Sequence, residues 1–201
     1  QIKSLSVAFA ATLLLGACAS PSKTANENSA NTETSSVSSD TSDTAKTLVY
    51  GTSSYGVGMS DAGLNPHEDY SGWSCVKYGV GETLFRLNEN IELVPWLADS
   101  YKFVDDNTLE VVIKDGINFS SGRKLDAAAA KECFEDLIAV HDRAPKDMKI
   151  QEIKADGQTI TFVTTEPNPA LLNFLAEPYT AIIDMQAGVD ASKNVSGTGP
   201  Y

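Results

Sequence analysis

The chain has 201 residues, of which 42% are hydrophobic, enough for one substantial core or two small ones. Its 27 acidic and 15 basic residues give a net charge of −12, which argues against nucleic acid as a partner because phosphates would remain unneutralised. The three cysteines include no Cys-x-x-Cys pair, so neither a disulfide framework nor a structural zinc site is expected.

The first 18 residues have the features of a targeting segment. Lys3 carries a positive charge ahead of residues 5–15, an apolar run that is too short to span a bilayer. The Leu-Gly-Ala-Cys that follows, ending at Cys18, resembles the bacterial lipobox, where signal cleavage leaves a lipidated N-terminal cysteine. The alternative is an ordinary apolar helix that happens to contain a cysteine. We predict a lipoprotein signal peptide over 1–18 and a lipid anchor at Cys18, on the extracytoplasmic face of the cell membrane.

Residues 19–46 change in composition to Ser, Thr, Asn, Asp and Ala, with no aromatic residue and a single Val. Such a segment cannot bury enough apolar area to offset its chain entropy, so we predict a disordered tether. The folded part is expected over 47–201, with a first strand at 48–52. The loop that follows, 51–78, is rich in Gly and Ser and carries six side chains that we predict to contact a ligand: Tyr55, Met59, His67, Tyr70, Trp73 and Tyr78. The alternative for each is that it packs under its own loop.

The middle of the chain carries clear strand and helix signals. Leu109, Val111 and Ile113 alternate with their neighbours, which is the pattern of a strand with one buried face. Asp126 precedes four alanines and predicts a helix N-cap. The helix is expected to bury Ala130, Cys133, Phe134, Leu137, Ile138 and His141 and to turn Lys131, Glu132, Glu135 and Asp136 towards water. Cys133 is interpreted as a core residue rather than a nucleophile, because no base is visible beside it.

Three further elements are predicted towards the end of the chain. Residues 150–155 and 158–164 flank Asp156-Gly157 and predict a hairpin with a two-residue turn. Asn168 followed by Pro169 predicts the N-cap and first position of a short helix. Residues 181–185 predict a strand that returns to the main sheet. The mixture indicates an α/β protein with short strands.

Five segments occur in the order found in one protein family. They are Leu-Asn-Pro-His at 64–67, Val-Gly-Glu-Thr-Leu-Phe-Arg-Leu at 80–87, Pro-Trp-Leu-Ala-Asp-Ser-Tyr at 95–101, the stretch 108–126, and Gly-Thr-Gly-Pro-Tyr at 197–201. Together they resemble the extracytoplasmic solute-binding proteins of ABC importers in the peptide/nickel class, with mild departures at Ser121 and Arg123. In that family the segment at 80–87 is a helix end. The resemblance implies a type II periplasmic-binding fold, of which this chain supplies the first lobe and lacks the second.

The resemblance also implies a function. Such a protein captures a peptide, a nickel complex or a similar small solute and delivers it to membrane permeases, without making or breaking a bond. No resident cofactor is expected, although a nickel complex is one possible cargo. His67 then has two interpretations, as a metal contact or as a cap of the turn after Pro66. Nickel binders of the family also use a cleft arginine from the region equivalent to 177–181, which has no arginine here. This departure leaves a peptide or another small ligand open.

Two other functions compete with import. One is a surface lipoprotein enzyme such as a hydrolase, and the other is a sensor domain that uses the same fold to signal. The sequence has no Gly-x-Ser-x-Gly elbow, no His-Glu-x-x-His and no P-loop, so we predict a protein that is not an enzyme.

Overall fold

The computed structural model describes residues 63–188, 190 and 194–201. The predicted signal peptide, the anchor at Cys18, the tether, the first strand at 48–52, and the predicted ligand contacts Tyr55 and Met59 lie outside these residues. No helix within the described ranges is long and apolar enough to cross a membrane.

The described residues form short helices and strands in a mixed α/β arrangement. The helices are α1 (Ser71–Lys77), α2 (Ala127–Val140), α3 (Ala144–Met148) and α4 (Leu171–Phe174), with a 3-10 turn at Pro178–Thr180. The strands are β1 (Phe85–Leu87), β2 (Leu93–Pro95), β3 (Ala98–Asp105), β4 (Thr108–Ile113), β5 (Ile150–Asp156) and β6 (Thr159–Thr164). Strands β3, β4, β6 and β5 lie in that order in one antiparallel sheet, and β1 and β2 form a separate ribbon.

The core lies between this sheet and α2. The predicted alternation in β4 is confirmed, since Leu109, Val111 and Ile113 are all buried. On α2, Phe134 meets Phe162 of β6 edge to face, with ring centroids 5.0 Å apart and planes at 84°. Each fully buried side chain of this size contributes about 1.5–3 kcal/mol of transfer free energy. The core therefore fixes α2 against the sheet, and α2 in turn positions the groups described below.

Helix α2 begins where the sequence predicts. The Asp126 side chain accepts a hydrogen bond from the Ala129 backbone N–H at 2.9 Å, which satisfies one of the free donors of the first turn. The helix ends at Val140, so His141 is buried as predicted but is the residue after the helix rather than part of its apolar face.

Four sequence predictions of local structure are wrong in detail. The segment 80–87 is not a helix end, since α1 ends at Lys77, Glu82 makes an isolated bridge and Phe85–Leu87 is strand β1. The hairpin turn is Gly157-Gln158, one residue later than predicted, because Asp156 still pairs with Thr159. Helix α4 begins at Leu171, and the Asn168 amide donates to two carbonyls at the end of α3 instead of capping α4.

The fourth error concerns residues 181–185, which do not join the main sheet. They make isolated bridges instead, in which the Ile182 N–H donates to the Glu82 carbonyl and the Asp184 N–H donates to the Ser196 carbonyl. This segment therefore ties the region around Glu82 to the last described residues.

A network of charged groups holds the loop before α2 in place. Arg123 Nη1 lies 2.9 Å from Glu132 Oε2 and 2.8 Å from Asp184 Oδ1, and the Ser121 hydroxyl donates to Asp184 Oδ2 at 2.7 Å. The Asp184 side chain is 2% exposed. Its burial alone would raise its pKa, but the hydrogen bonds from Ser121 and Arg123 outweigh burial and lower the pKa. Ser121 and Arg123 are the two positions at which the sequence departs from the family pattern, and they act together here.

Candidate functional site

A cavity of about 360 Å³ lies among the loop before α1, the end of α2 and the 3-10 turn. It is lined by His67, Glu68, Asp69, Tyr70, Gly72, Trp73, Val140, His141, Asp142, Arg143, Glu177, Pro178 and Tyr179. Three of the four predicted ligand contacts that fall within the described residues belong to this lining. The fourth, Tyr78, does not; it is the C-cap residue of α1.

The floor of the cavity is a stack of rings held by one carboxylate. The His141 ring lies 4.6 Å from the buried Tyr179 ring, and the Arg143 guanidinium carbon lies 5.6 Å from the centre of the same ring. Asp147 of α3 accepts hydrogen bonds from both the Tyr179 hydroxyl and Arg143 Nη2, each at 3.1 Å. Burial and the neighbouring Asp147 charge raise the pKa of Tyr179, so its hydroxyl remains a donor.

His141 fixes the chain between α2 and α3. Its Nδ1 accepts hydrogen bonds from the backbone N–H groups of Arg143 and Ala144, both at 3.1 Å. Burial, with the Arg143 charge adding to it, lowers the pKa of His141. The ring is therefore neutral at pH 7 and carries its proton on Nε2. Loss of this acceptor would release the turn that directs Arg143 at the cavity.

The rim combines exposed aromatic rings with charge. Tyr70 and Trp73 are 61% and 62% exposed, although both border the cavity. Four carboxylates also line it, and these belong to Glu68, Asp69, Asp142 and Glu177. Aromatic walls with a few placed polar groups are the usual makeup of a small-molecule site. The arrangement suits a ligand that has a flat or apolar part, a carboxylate for Arg143 and a positive charge for the acidic rim.

Helix α1 lies directly on the 3-10 turn at one wall of the cavity. A Cβ atom added at Gly72 would stand 2.5 Å from the Pro178 carbonyl oxygen. The absence of a side chain at Gly72 is what permits this close approach.

His67 points away from the open cavity and into the protein. Its side chain is 0% exposed, with Nδ1 2.7 Å from Asp136 Oδ2 and Nε2 3.3 Å from Cys133 Sγ. Asp136 binds this imidazole while its own side chain stays 38% exposed, so the prediction that it faces water is only partly right. Cys133 lies in the core as predicted, but a base does lie beside it. The 66 and 69 residues that separate these partners explain why no local pattern revealed them.

Glu68 and Cys75 lie close to His67 in the sequence and could assist it in binding a metal, but one is hydrogen-bonded elsewhere and the other is protonated. The Glu68 carboxylate accepts a hydrogen bond from the Asn65 amide at 3.0 Å, and burial raises the pKa of the Cys75 thiol to about 12. Within the described part of the chain, no three His, Cys, Asp or Glu side chains are grouped as metal ligands would be. A metal contact at His67 stays a prediction, and a metal ion would have to bring most of its own ligands.

Comparison with known proteins gives one family and several structural relatives. The sequence model of the bacterial extracellular solute-binding proteins, family 5 Middle, matches residues 92–201. The nickel-binding protein NikA of Staphylococcus aureus is 36% identical over 126 residues, which are 63% of this chain and 26% of that protein. The glutathione-binding protein GsiB of Escherichia coli K12 is 31% identical over 155 residues, covering 72% of this chain and 30% of GsiB.

The solved structure of S. aureus NikA in complex with Ni(L-His)2 superposes with a TM-score of 0.66 at 34% identity, covering 70% of this chain and 30% of NikA. The nickel ABC transporter protein of Bacillus halodurans gives the same TM-score and identity over 71% of this chain and 30% of its own. The chain thus spans less than a third of the length of these relatives.

Proposed function

Because the chain belongs to the bacterial extracellular solute-binding proteins of family 5, we propose that it captures a small solute outside the cytoplasmic membrane for an ABC importer. The family predicted from the five ordered segments is confirmed, and so is the fold class, a lobe of the type II periplasmic-binding fold. The relatives are solute-binding proteins and not enzymes, which does not favour the hydrolase alternative. Handing the solute to a permease, as the resemblance implies, is part of the same proposal.

The solute we propose is a nickel ion carried by a small chelator such as histidine. The observation that carries this proposal is the 36% identity to a nickel-binding protein, whose solved structure holds Ni(L-His)2. The cavity is compatible with such a complex, because Arg143 is placed to pair with a chelator carboxylate and the rings of Tyr70 and Trp73 are free to stack on imidazole. We propose that Arg143, which lines the cavity from the link between α2 and α3, takes the role of the arginine that the sequence lacks at 177–181.

A short peptide is the second candidate. It is favoured by the 31% identity to the glutathione-binding protein GsiB over a longer stretch of this chain. The acidic rim would bind an ammonium group, and Arg143 would bind a carboxylate, so the same charges serve either ligand.

Membrane attachment through Cys18 is also part of the proposal, and it rests on the lipobox sequence. A Cys18→Ala variant should lose fatty-acid labelling and leave the membrane fraction. Retention of label in that variant would refute the anchor.

Calorimetric titration of the purified complete protein distinguishes the ligands. The titrants are Ni(II) alone, L-histidine alone, the 1:2 nickel–histidine complex, and glutathione. We expect tight binding of the nickel–histidine complex only. Tight binding of glutathione alone would favour the peptide, and binding of none of the four would reject the proposed function.

Two arginine variants test the site itself. Arg143→Met should weaken binding of the preferred solute by about tenfold or more, because a charge-assisted contact is lost. Arg86→Met is the matched control, since Arg86 is an exposed arginine that rests on the Trp96 ring and does not line the cavity. Equal losses in both variants would show that the cavity around Arg143 is not the binding site.

A further inference from the structure

A series of hydrogen bonds, buried except at the Asp136 carboxylate, joins three segments of the protein beneath the cavity. His67 lies in the loop before α1, Cys133 and Asp136 lie one helical turn apart on α2, and the Ile183 backbone N–H approaches Cys133 Sγ at 3.4 Å. His67 is the middle member, because it contacts both α2 side chains. Its two ring nitrogens point along the helix rather than into the open cavity.

The position of each proton in this series of hydrogen bonds follows from which of the three side chains can donate and which can accept. Asp136 only accepts, so His67 Nδ1 carries the proton, and Nε2 then accepts from the Cys133 thiol. Burial raises the pKa of Cys133 to about 12, so the thiol keeps its proton. Burial also lowers the pKa of His67 by more than the Asp136 contact raises it, so the imidazole is neutral. The Cys133 thiol has a second acceptor within reach, the Ala181 carbonyl oxygen at 3.8 Å, but His67 Nε2 at 3.3 Å is the nearer one.

The same three side-chain types form the nucleophilic triad of cysteine hydrolases, but here the geometry serves another purpose. Cys133 is 2% exposed, and its Sγ lies 3.8 Å from the Ala181 carbonyl oxygen. A nucleophile needs an exposed sulfur with a lowered pKa, and this thiol has neither. What remains is the mechanical effect of the contacts, which hold the loop before α1 onto α2.

That loop carries the exposed aromatic rim of the cavity. Tyr70 lies three residues after His67, and Trp73 lies six residues after it. Between His67 and Tyr70, Asp69 turns the backbone sharply with a φ of +47°. The backbone of Asp69 also hydrogen bonds to His141, which follows the end of α2. The loop is thus attached at two places, through His67 to α2 inside the protein and through Asp69 to the residue that follows α2 beside the cavity.

We propose that His67 is a positioning residue, whose imidazole clamps the loop before α1 onto α2 and so sets the place of Tyr70 and Trp73 for the incoming solute. This inference rests on the proposed function, because it assumes that a solute is bound in the cavity. His67 acts through the loop and does not touch the solute or coordinate its metal ion.

Substitutions at both ends of the contact test the clamp. In His67→Ala both hydrogen bonds are lost, and affinity for the preferred solute should fall by about tenfold. His67→Asn keeps a donor near the position of Nδ1 and should recover part of the loss. Cys133→Ala removes only the thiol donor, whereas Cys133→Ser restores a donor to Nε2, so the serine variant should bind more tightly than the alanine variant.

Ile160→Ala is the control for a general loss of stability. Ile160 is fully buried in β6 and does not line the cavity, so its truncation should lower the unfolding midpoint and leave affinity unchanged. Circular dichroism of each variant establishes that it is folded before titration with the nickel–histidine complex and with glutathione.

The visible absorption of bound nickel separates positioning from ligation. If His67 positions the loop, the spectrum of the bound nickel–histidine complex is the same in wild type and in His67→Asn while affinity differs. A changed spectrum would make His67 a metal ligand and overturn the proposal, and so would unchanged affinity in both His67→Ala and Cys133→Ala. If the wild type itself binds neither probe, the proposed function fails and this inference fails with it.

Discussion

Adding one methyl group at Gly72 should deform the cavity, because it forces α1 away from the 3-10 turn. An ideal Cβ at this position would lie 2.5 Å from the Pro178 carbonyl oxygen and 2.8 Å from the Tyr179 backbone nitrogen. Both neighbours are backbone atoms, so no side-chain rotation relieves the overlap. Ordinary contact begins near 3.4 Å, so α1 and the 3-10 turn would have to separate by about 0.9 Å.

Two opposing effects determine the free energy of unfolding of Gly72→Ala. Alanine is a better helix former than glycine by about 0.5–1 kcal/mol, which favours the variant. Forcing extra volume into a packed contact costs about 1–3 kcal/mol. We expect the second effect to dominate, for a net loss of about 1–2 kcal/mol. Because Trp73 moves with α1 while Pro178 stays with the turn, the cavity also widens, and solute affinity should fall by about tenfold.

Urea denaturation of the complete protein at neutral pH measures the stability change, and calorimetric titration measures the affinity. The control is Ser74→Ala, on the same helix but outside the cavity lining, which should be neutral or slightly stabilising. A Gly72→Ala protein as stable as wild type, with unchanged affinity, would refute the argument that the close contact of α1 with the turn shapes this wall.

Three further predictions concern stability. The pKa of His141 is lower in the folded protein than its ordinary 6.5, so the folded state favours the neutral ring. The stability that this ring contributes is fully present above about pH 6.5 and is lost as the pH falls below that value, where the unfolded chain takes up the proton. The urea midpoint should decrease from pH 7 to pH 5 less steeply in His141→Asn, and equal slopes would contradict this. Ile91 is 79% exposed and has a φ of +64°, a backbone conformation that strains a branched side chain. Ile91→Gly should therefore raise the free energy of unfolding by about 1 kcal/mol, and a decrease would argue against strain at this residue. Arg123→Met removes the guanidinium from buried Asp184 and should cost about 2–3 kcal/mol, whereas a cost below about 0.5 kcal/mol would show that Ser121 alone satisfies that carboxylate.

The sequence predicts those features that depend on neighbours a few residues apart. The alternation of Leu109, Val111 and Ile113 and the cap at Asp126 are local patterns, and both are confirmed. The errors arise where a tertiary contact takes over a local signal. Asn168 has the sequence context of a helix N-cap, but its amide instead binds carbonyls at the end of α3, about 20 residues away in the chain.

The candidate site was predicted only in part, for the same reason. The clustering of His67, Tyr70 and Trp73 in one loop predicts that all three border the cavity, and they do, although the His67 side chain points into the protein. His141 and Tyr179 were not singled out as site residues, because nothing in the sequence shows that residues 38 positions apart stack their rings. Helical periodicity predicts that His141 lies on the apolar face of α2, but periodicity carries no information on where the helix ends.

The strongest structural argument for the proposed solute capture is the contrast between the floor of the cavity, whose polar groups are all hydrogen-bonded, and its rim, whose aromatic rings are exposed. Among the described residues, no buried side-chain nitrogen or oxygen lacks a hydrogen-bond partner, so the floor of Asp147, Tyr179 and His141 is already satisfied without a ligand. The groups still available to contact a solute are at the rim, where the rings of Tyr70 and Trp73 remain mostly exposed. A rigid floor lowers the ordering cost of binding, and an exposed aromatic rim gains free energy only when something covers it. In the proposed function, closure of a second lobe on the solute would provide that cover at the moment of binding.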